Sequence, residues 1–157
     1  MRTKITHIRN FGDVMETLGS LCDKLTIVVL KGYHTDDAEK LVMLDKQKKD
    51  LIKEIDEYLA GVSTGEINPD KLESPSCKVY NKEKNVTSET ITNDVGDLIS
   101  DLACINCKLW HVQEKIYDFG NVPVSEKDTV IKQAAILNLE RTQRIDAINL
   151  ILAEKVK

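Results

Sequence analysis

The sequence reads as all-α: a four-helix bundle made of two repeated antiparallel helical hairpins joined by a long connector. Three observations lead there. Apolar residues recur in steps of three and four, cap and stop residues bracket those runs, and the front half of the chain superimposes on the back half. The 157 residues suffice for one domain with a real core and fall short of two independent ones. Hairpin one is expected over about 13–60, the connector over 61–87 and hairpin two over about 88–155.

The first helical segment carries Val14, Leu18, Leu21, Leu25 and Val28 along one stripe, and Gly32 ends it. The second starts at the cap Thr35, with Asp36 and Asp37 where the helix dipole favours negative charge; Asp37 can serve as the cap instead, because the chain turns soon after His34. It runs through Leu41, Leu44, Leu51, Ile55 and Leu59 to Gly61. Lys46, Lys48, Lys49 and Lys53 are interrupted by Asp45, Asp50 and Glu54, which marks a solvated face laced with ion pairs.

The third segment has the strongest period, from Ile91 and Val95 through Leu98, Leu102, Ile105, Leu109 and Val112 to Ile116. Gly120 and Pro123 separate it from the fourth, which opens at Ser125-Glu126-Lys127-Asp128 and continues through Val130, Ala134, Leu137, Ile145, Ile148 and Leu152. The connector holds Gly65, Pro69 and Pro75 and no sustained period. A loop that long inside a compact domain is unusual, so part of it is expected to pack or to form a turn around Cys77-Lys78-Val79-Tyr80.

Sliding the third segment onto the first matches Gly19 with Gly96, Lys31 with Lys108, Tyr33 with Trp110 and His34 with His111. The fourth overlays the second in the same way, matching Lys48 with Arg141 and Ile55 with Ile148. Each half is then a helix, a turn and a helix, and stripe-to-stripe packing of two such hairpins would bury both apolar faces.

A net charge of −4 supplies no overall field to draw the chain to nucleic acid or anionic lipid. No apolar run is long enough to span a bilayer or to act as a signal peptide, so a cytoplasmic location is expected, with Cys22, Cys77, Cys104 and Cys107 as thiols.

Residues that recur in both halves are the candidates for chemistry. Lys31 to Asp37 and Lys108 to Glu114 share a Lys-x-aromatic-His pattern with an acid three residues beyond the histidine. The spacing of His111 and Glu114 puts imidazole and carboxylate on one helix face, able to share a metal or to fix a tautomer; a histidine near a helix C-terminus also complements the dipole. Lys48 and Arg141 fall on or beside the apolar stripe and need partners there, expected as Asp23 for Lys48 and Asp97 or Asp101 for Arg141. Turned to a common cleft, Lys48 and Arg141 would hold an anion, with Lys31, Lys108, His34 and His111 completing a candidate ligand site. A metal set would be drawn from His111, Glu114, Cys104 and Cys107; Cys104 and Cys107 align with Ile27 and Leu30, which favours a packing role for that C-x-x-C.

Leu21-Cys22-Asp23-Lys24-Leu25-Thr26-Ile27, with Leu109-Trp110-His111 and Glu114, resembles an uncharacterised all-helical family of bacteria and their phages. That family shows D-K-L-[ST]-I and L-W-x-x-E segments and an asparagine and arginine in its last helix, which Asn138 and Arg141 resemble. The resemblance implies the fold and no catalytic residues.

The second face of the third segment, Cys104, Cys107, His111 and Glu114, is expected to be covered by another subunit or by the connector. The leading function is a self-associating, homo-oligomeric interaction module without catalysis, and no cofactor is predicted. One rival is a metal-dependent nucleotide pyrophosphohydrolase holding a divalent metal, whose second acidic pair has no counterpart after Glu54 and Glu57. The other is a binder of a small anionic ligand.

Overall fold

The computed structural model describes residues 16–68, 72 and 94–156, and among these the chain is all-helical. Four helices follow one another: α1, Leu18–Tyr33; α2, Ala38–Thr64; α3, Val95–Tyr117; and α4, Val124–Val156. Helix α1 packs on α2, α3 packs on α4, and α1 joins the two pairs by touching both α3 and α4.

Each boundary has a local cause. Thr17 caps α1, its hydroxyl accepting from the Ser20 N–H. At α2 the cap is Asp37, whose carboxylate accepts from the N–H groups of Glu39 and Lys40 at 3.1 and 3.2 Å, while Thr35 accepts one position earlier from the Asp37 N–H. Helix α2 runs past Gly61 to Thr64 and stops at Gly65, whose φ of 75° is the left-handed turn that glycine adopts without strain. Gly61 keeps helical geometry and is buried, so it terminates nothing.

Asp94 stands at the N-cap of α3, and the helix begins at Val95; Val14 and Ile91, assigned to helices from sequence, lie outside the described residues. After α3 the Asn121 side chain donates to Asp118 across a tight turn, and Pro123 leads directly into α4, one residue ahead of the expected Ser125 start.

The core has two parts. The larger gathers the start of α1, the end of α2, the first turns of α3 and the last turns of α4 around Leu21, Tyr58, Leu98, Leu102 and Ile148. Leu98, Leu102 and Ile148 are fully enclosed, each contributing roughly 1.5–3 kcal/mol by leaving water. Ile67 and Leu72 join this cluster, so the front of the 61–87 stretch packs. Cys77 to Tyr80 lies outside the described residues. The smaller part belongs to α3 and α4 alone, with Ile105, Leu109, Val112, Val130 and Leu137.

Helix α2 departs from an even bundle. Its main backbone packing is against α1, and from Ala38 to Lys53 it buries no residue. The lysine-rich stretch there is exposed and carries the expected ion pairs: Lys46 with Asp50, Lys49 with Asp45 and Lys53 with Glu57. No helix among the described residues is long and apolar enough to cross a membrane.

The two matched glycines do different things. A Cβ on Gly19 would sit 2.3 Å from the Ile145 carbonyl oxygen, so its absence lets α1 and α4 touch backbone to backbone; around Gly96 there is open space. Asn149 completes the Gly19 contact by accepting from its N–H at 2.8 Å and donating to Thr17 at 3.0 Å, which satisfies an otherwise orphaned helix N-terminal donor.

Candidate functional site

Where the two core clusters meet, the interior is polar. Asp23 on α1 is buried and receives three donors: Arg141 Nε and Asn106 Nδ2 on one oxygen at 2.8 and 2.9 Å, and Arg141 Nη2 on the other. Thr26 accepts from the same Asn106 amide at 2.8 Å and donates to the Asp23 backbone carbonyl. The carboxylate holds Arg141 firmly in its charged form, mainly through these hydrogen bonds. A carboxylate bonded this fully ties α1, α3 and α4 together.

This corrects the expected pairings. Arg141 belongs to Asp23 across the two hairpins, not to Asp97 or Asp101 within its own hairpin. It is Arg144, one turn further and buried, whose Nε lies 3.9 Å from the Asp101 carboxylate. Lys48 is exposed on α2 and does not join the pair. Its helix lies outside the core at that level, where a long charged stem reaches water at no cost.

A second cluster forms at the turn end of α1, where His34 and His111 come together, their ring centroids 5.8 Å apart. Trp110 stacks flat on His34 at 4.8 Å, and Tyr33 meets the same imidazole edge-on. Glu114 binds both neighbours on α3, taking the Trp110 indole N–H and the His111 Nδ1 at 3.0 Å each. The His111 bond in particular holds its carboxyl below the usual range. Glu114 follows Trp110 by four residues rather than the three of L-W-x-x-E, and that extra position brings its carboxylate over the indole nitrogen.

Among the described residues no three His, Cys, Asp or Glu side chains converge to hold a metal ion. Of the suggested metal set, His111 and Glu114 bond each other, Cys104 is exposed and Cys107 half-buried. Among the described cysteines Cys22 is the buried one, and burial pushes its pKa up and its reactivity down. Lys108 is exposed on α3.

Lys31 borders a long groove between α1 and α2. One lobe, about 370 Å³, is lined by Lys31, His34, Lys40, Met43, Leu44 and Trp110; the next, about 360 Å³, by Lys24, Ile27, Val28, Asp50, Leu51 and Glu54. Lys31 and Gln47 belong to both, so the lobes form one channel on the side of the hairpin. The candidate ligand residues are therefore divided: Lys31 and His34 at the groove, His111 beside His34, Arg141 in the interior network, and Lys48 and Lys108 in solvent.

Sequence reasoning missed Asn106, Asn149 and Arg144. The available signal was polarity inside apolar runs, as in Ile105-Asn106 and Ile148-Asn149-Leu150-Ile151. No protein-family model, no curated protein and no solved structure matches the chain.

Proposed function

We propose that the chain is a non-enzymatic helical module that works by self-association. One observation carries this reading: the α1–α2 hairpin leaves a face open that is built like an interface. Met43 is exposed along a groove whose other apolar lining residues, Ile27, Val28, Leu44 and Leu51, are only half-buried, so an apolar strip stays open between α1 and α2. The saturated Asp23 network adds support, since the most enclosed carboxylate serves cohesion.

Duplication of one ancestral hairpin belongs to the same reading. His34 and His111, the matched histidines, lie side by side, as quasi-symmetric positions near a local axis would.

Size-exclusion chromatography with light scattering at micromolar concentration tests the module reading. A dimer or higher mass is expected, and a clean 17.7 kDa monomer overturns it.

A small anionic ligand is a second reading, favoured by Lys31, Lys40 and His34 at one lobe of the groove. Thermal shift with inorganic phosphate and nucleoside monophosphates tests it: a selective rise supports a ligand site, and no shift removes it.

A further inference from the structure

The two lobes of the α1–α2 groove share apolar walls and differ in charge. Near the hairpin turn, Lys31 on α1 and Lys40 on α2 line one lobe together with Met43, Leu44 and Trp110. In the lobe beyond, Ile27, Val28 and Leu51 continue the apolar lining, and Asp50 and Glu54 join it. Each lobe, at about 370 and 360 Å³, falls in the range of roughly 300–1,000 Å³ of small-molecule sites, which combine apolar walls with a few polar groups that orient the ligand.

The charges select the head of an occupant. Lys40 pairs with Asp37 at 3.2 Å on exposed side chains, whereas Lys31 makes no ion pair among the described residues. A pair in water is held loosely, so one free cation and one readily shared cation suit a single negative charge. In the far lobe Asp50 bonds Lys46 and Lys24, which also lines it, bonds Glu16, which leaves Glu54 as the surplus charge there. A second anionic group at that end would be repelled. Between the two ends, Leu44 and Leu51 are seven residues apart, about 10 Å along the helix, the span of an extended chain of about eight to ten carbons.

Resting on the second reading above, a small anionic ligand, we infer that the groove binds a straight-chain aliphatic carboxylate. Its head sits between Lys31 and Lys40, and its uncharged tail runs past Val28 and Leu44 to Leu51. The carboxylate supplies the charge that the turn end lacks, and each methylene removed from water against the half-buried side chains adds affinity. An inorganic phosphate engages the same lysines and gains nothing from the walls, so it binds more weakly.

Trp110 lines the head lobe, so its emission reports occupancy. The protein is titrated with hexanoate, octanoate and decanoate, each below its micelle concentration, while circular dichroism confirms unchanged helical content. Full burial of two methylenes corresponds to about fifteenfold in affinity, and a tail lying in an open groove is expected to gain at least about threefold for each two carbons added. Decanedioate, with a second carboxylate at the far lobe, is expected to bind at least about fivefold more weakly than decanoate, and Lys31→Gln to weaken decanoate by a similar factor. Affinity that does not rise with chain length, or no binding of any of the three, while phosphate still raises the melting temperature, overturns the aliphatic ligand and leaves the anion reading standing. Decanoate that binds Lys31→Gln undiminished, or no more tightly than decanedioate, overturns the seating of the head. No response to any carboxylate or to phosphate overturns both readings.

Discussion

Arg141 on α4 reaches Asp23 on α1 with two guanidinium nitrogens, and Asn106 on α3 shares the same carboxylate, so one buried anion ties three helices. Asp23→Ala would leave the Arg141 charge and the Asn106 amide without their acceptor. A loss of about 3 kcal/mol in urea unfolding is expected. The double variant Asp23→Leu with Arg141→Met should recover a good part of that loss, since it removes both charges together.

The two matched glycines give a paired test of close packing. Gly19→Ala is expected to cost about 2 kcal/mol, because its new methyl meets the Ile145 backbone, which cannot swing aside. Gly96→Ala has open space around it and should be neutral or stabilise α3 by about 0.5 kcal/mol. Equal effects on the melting midpoint would contradict the backbone contact between α1 and α4.

Leu72 stands in the stretch that sequence assigned to a connector, yet it is fully enclosed. Leu72→Ala should destabilise the chain by about 3 kcal/mol, a core-sized loss. A change inside the error of chemical denaturation would remove this residue from the core.

Trp110 is the chain's only tryptophan, which makes its emission a local probe of the His34 and Glu114 contacts. The Glu114 carboxyl titrates below its unfolded value of about 4.3, chiefly through its bond to His111. Its stabilising contribution is therefore complete above that unfolded value and is lost as pH falls through the lower folded one. An acid-side change in Trp110 fluorescence is expected below about pH 4.3, and it should vanish in Glu114→Gln. Persistence of the same change in that variant would assign it elsewhere.

The four helices were legible because buried faces impose steps of three and four on the apolar residues, and the Asp37 and Gly65 ends obey ordinary capping chemistry. Gly61 misled because a glycine halts a helix only where the backbone turns left-handed, and here that happens four residues later, at Gly65. The partner of Asp23 was not legible. Helical spacing points Arg141 to Asp97 or Asp101 within its own hairpin, whereas the contact crosses from α1 to α4 and depends on how the hairpins are set together. The recurrence of His34 and His111 points to a shared site, and their contact follows from the packing of α1 on α3; Lys48, grouped with them on the same pattern, stays in solvent because α2 lies outside the core at that level.

The standing of α2 apart from the other helices has a consequence for handling the protein. Its first half offers Lys46, Lys48 and Lys49 where the helix buries no residue and packs mainly on α1, so this stretch opens far more readily than the core around Leu98 and Ile148. Trypsin acting on a dilute sample should nick the chain there first, while a concentrated sample, with the hairpins clasped, should survive longer at the same enzyme ratio.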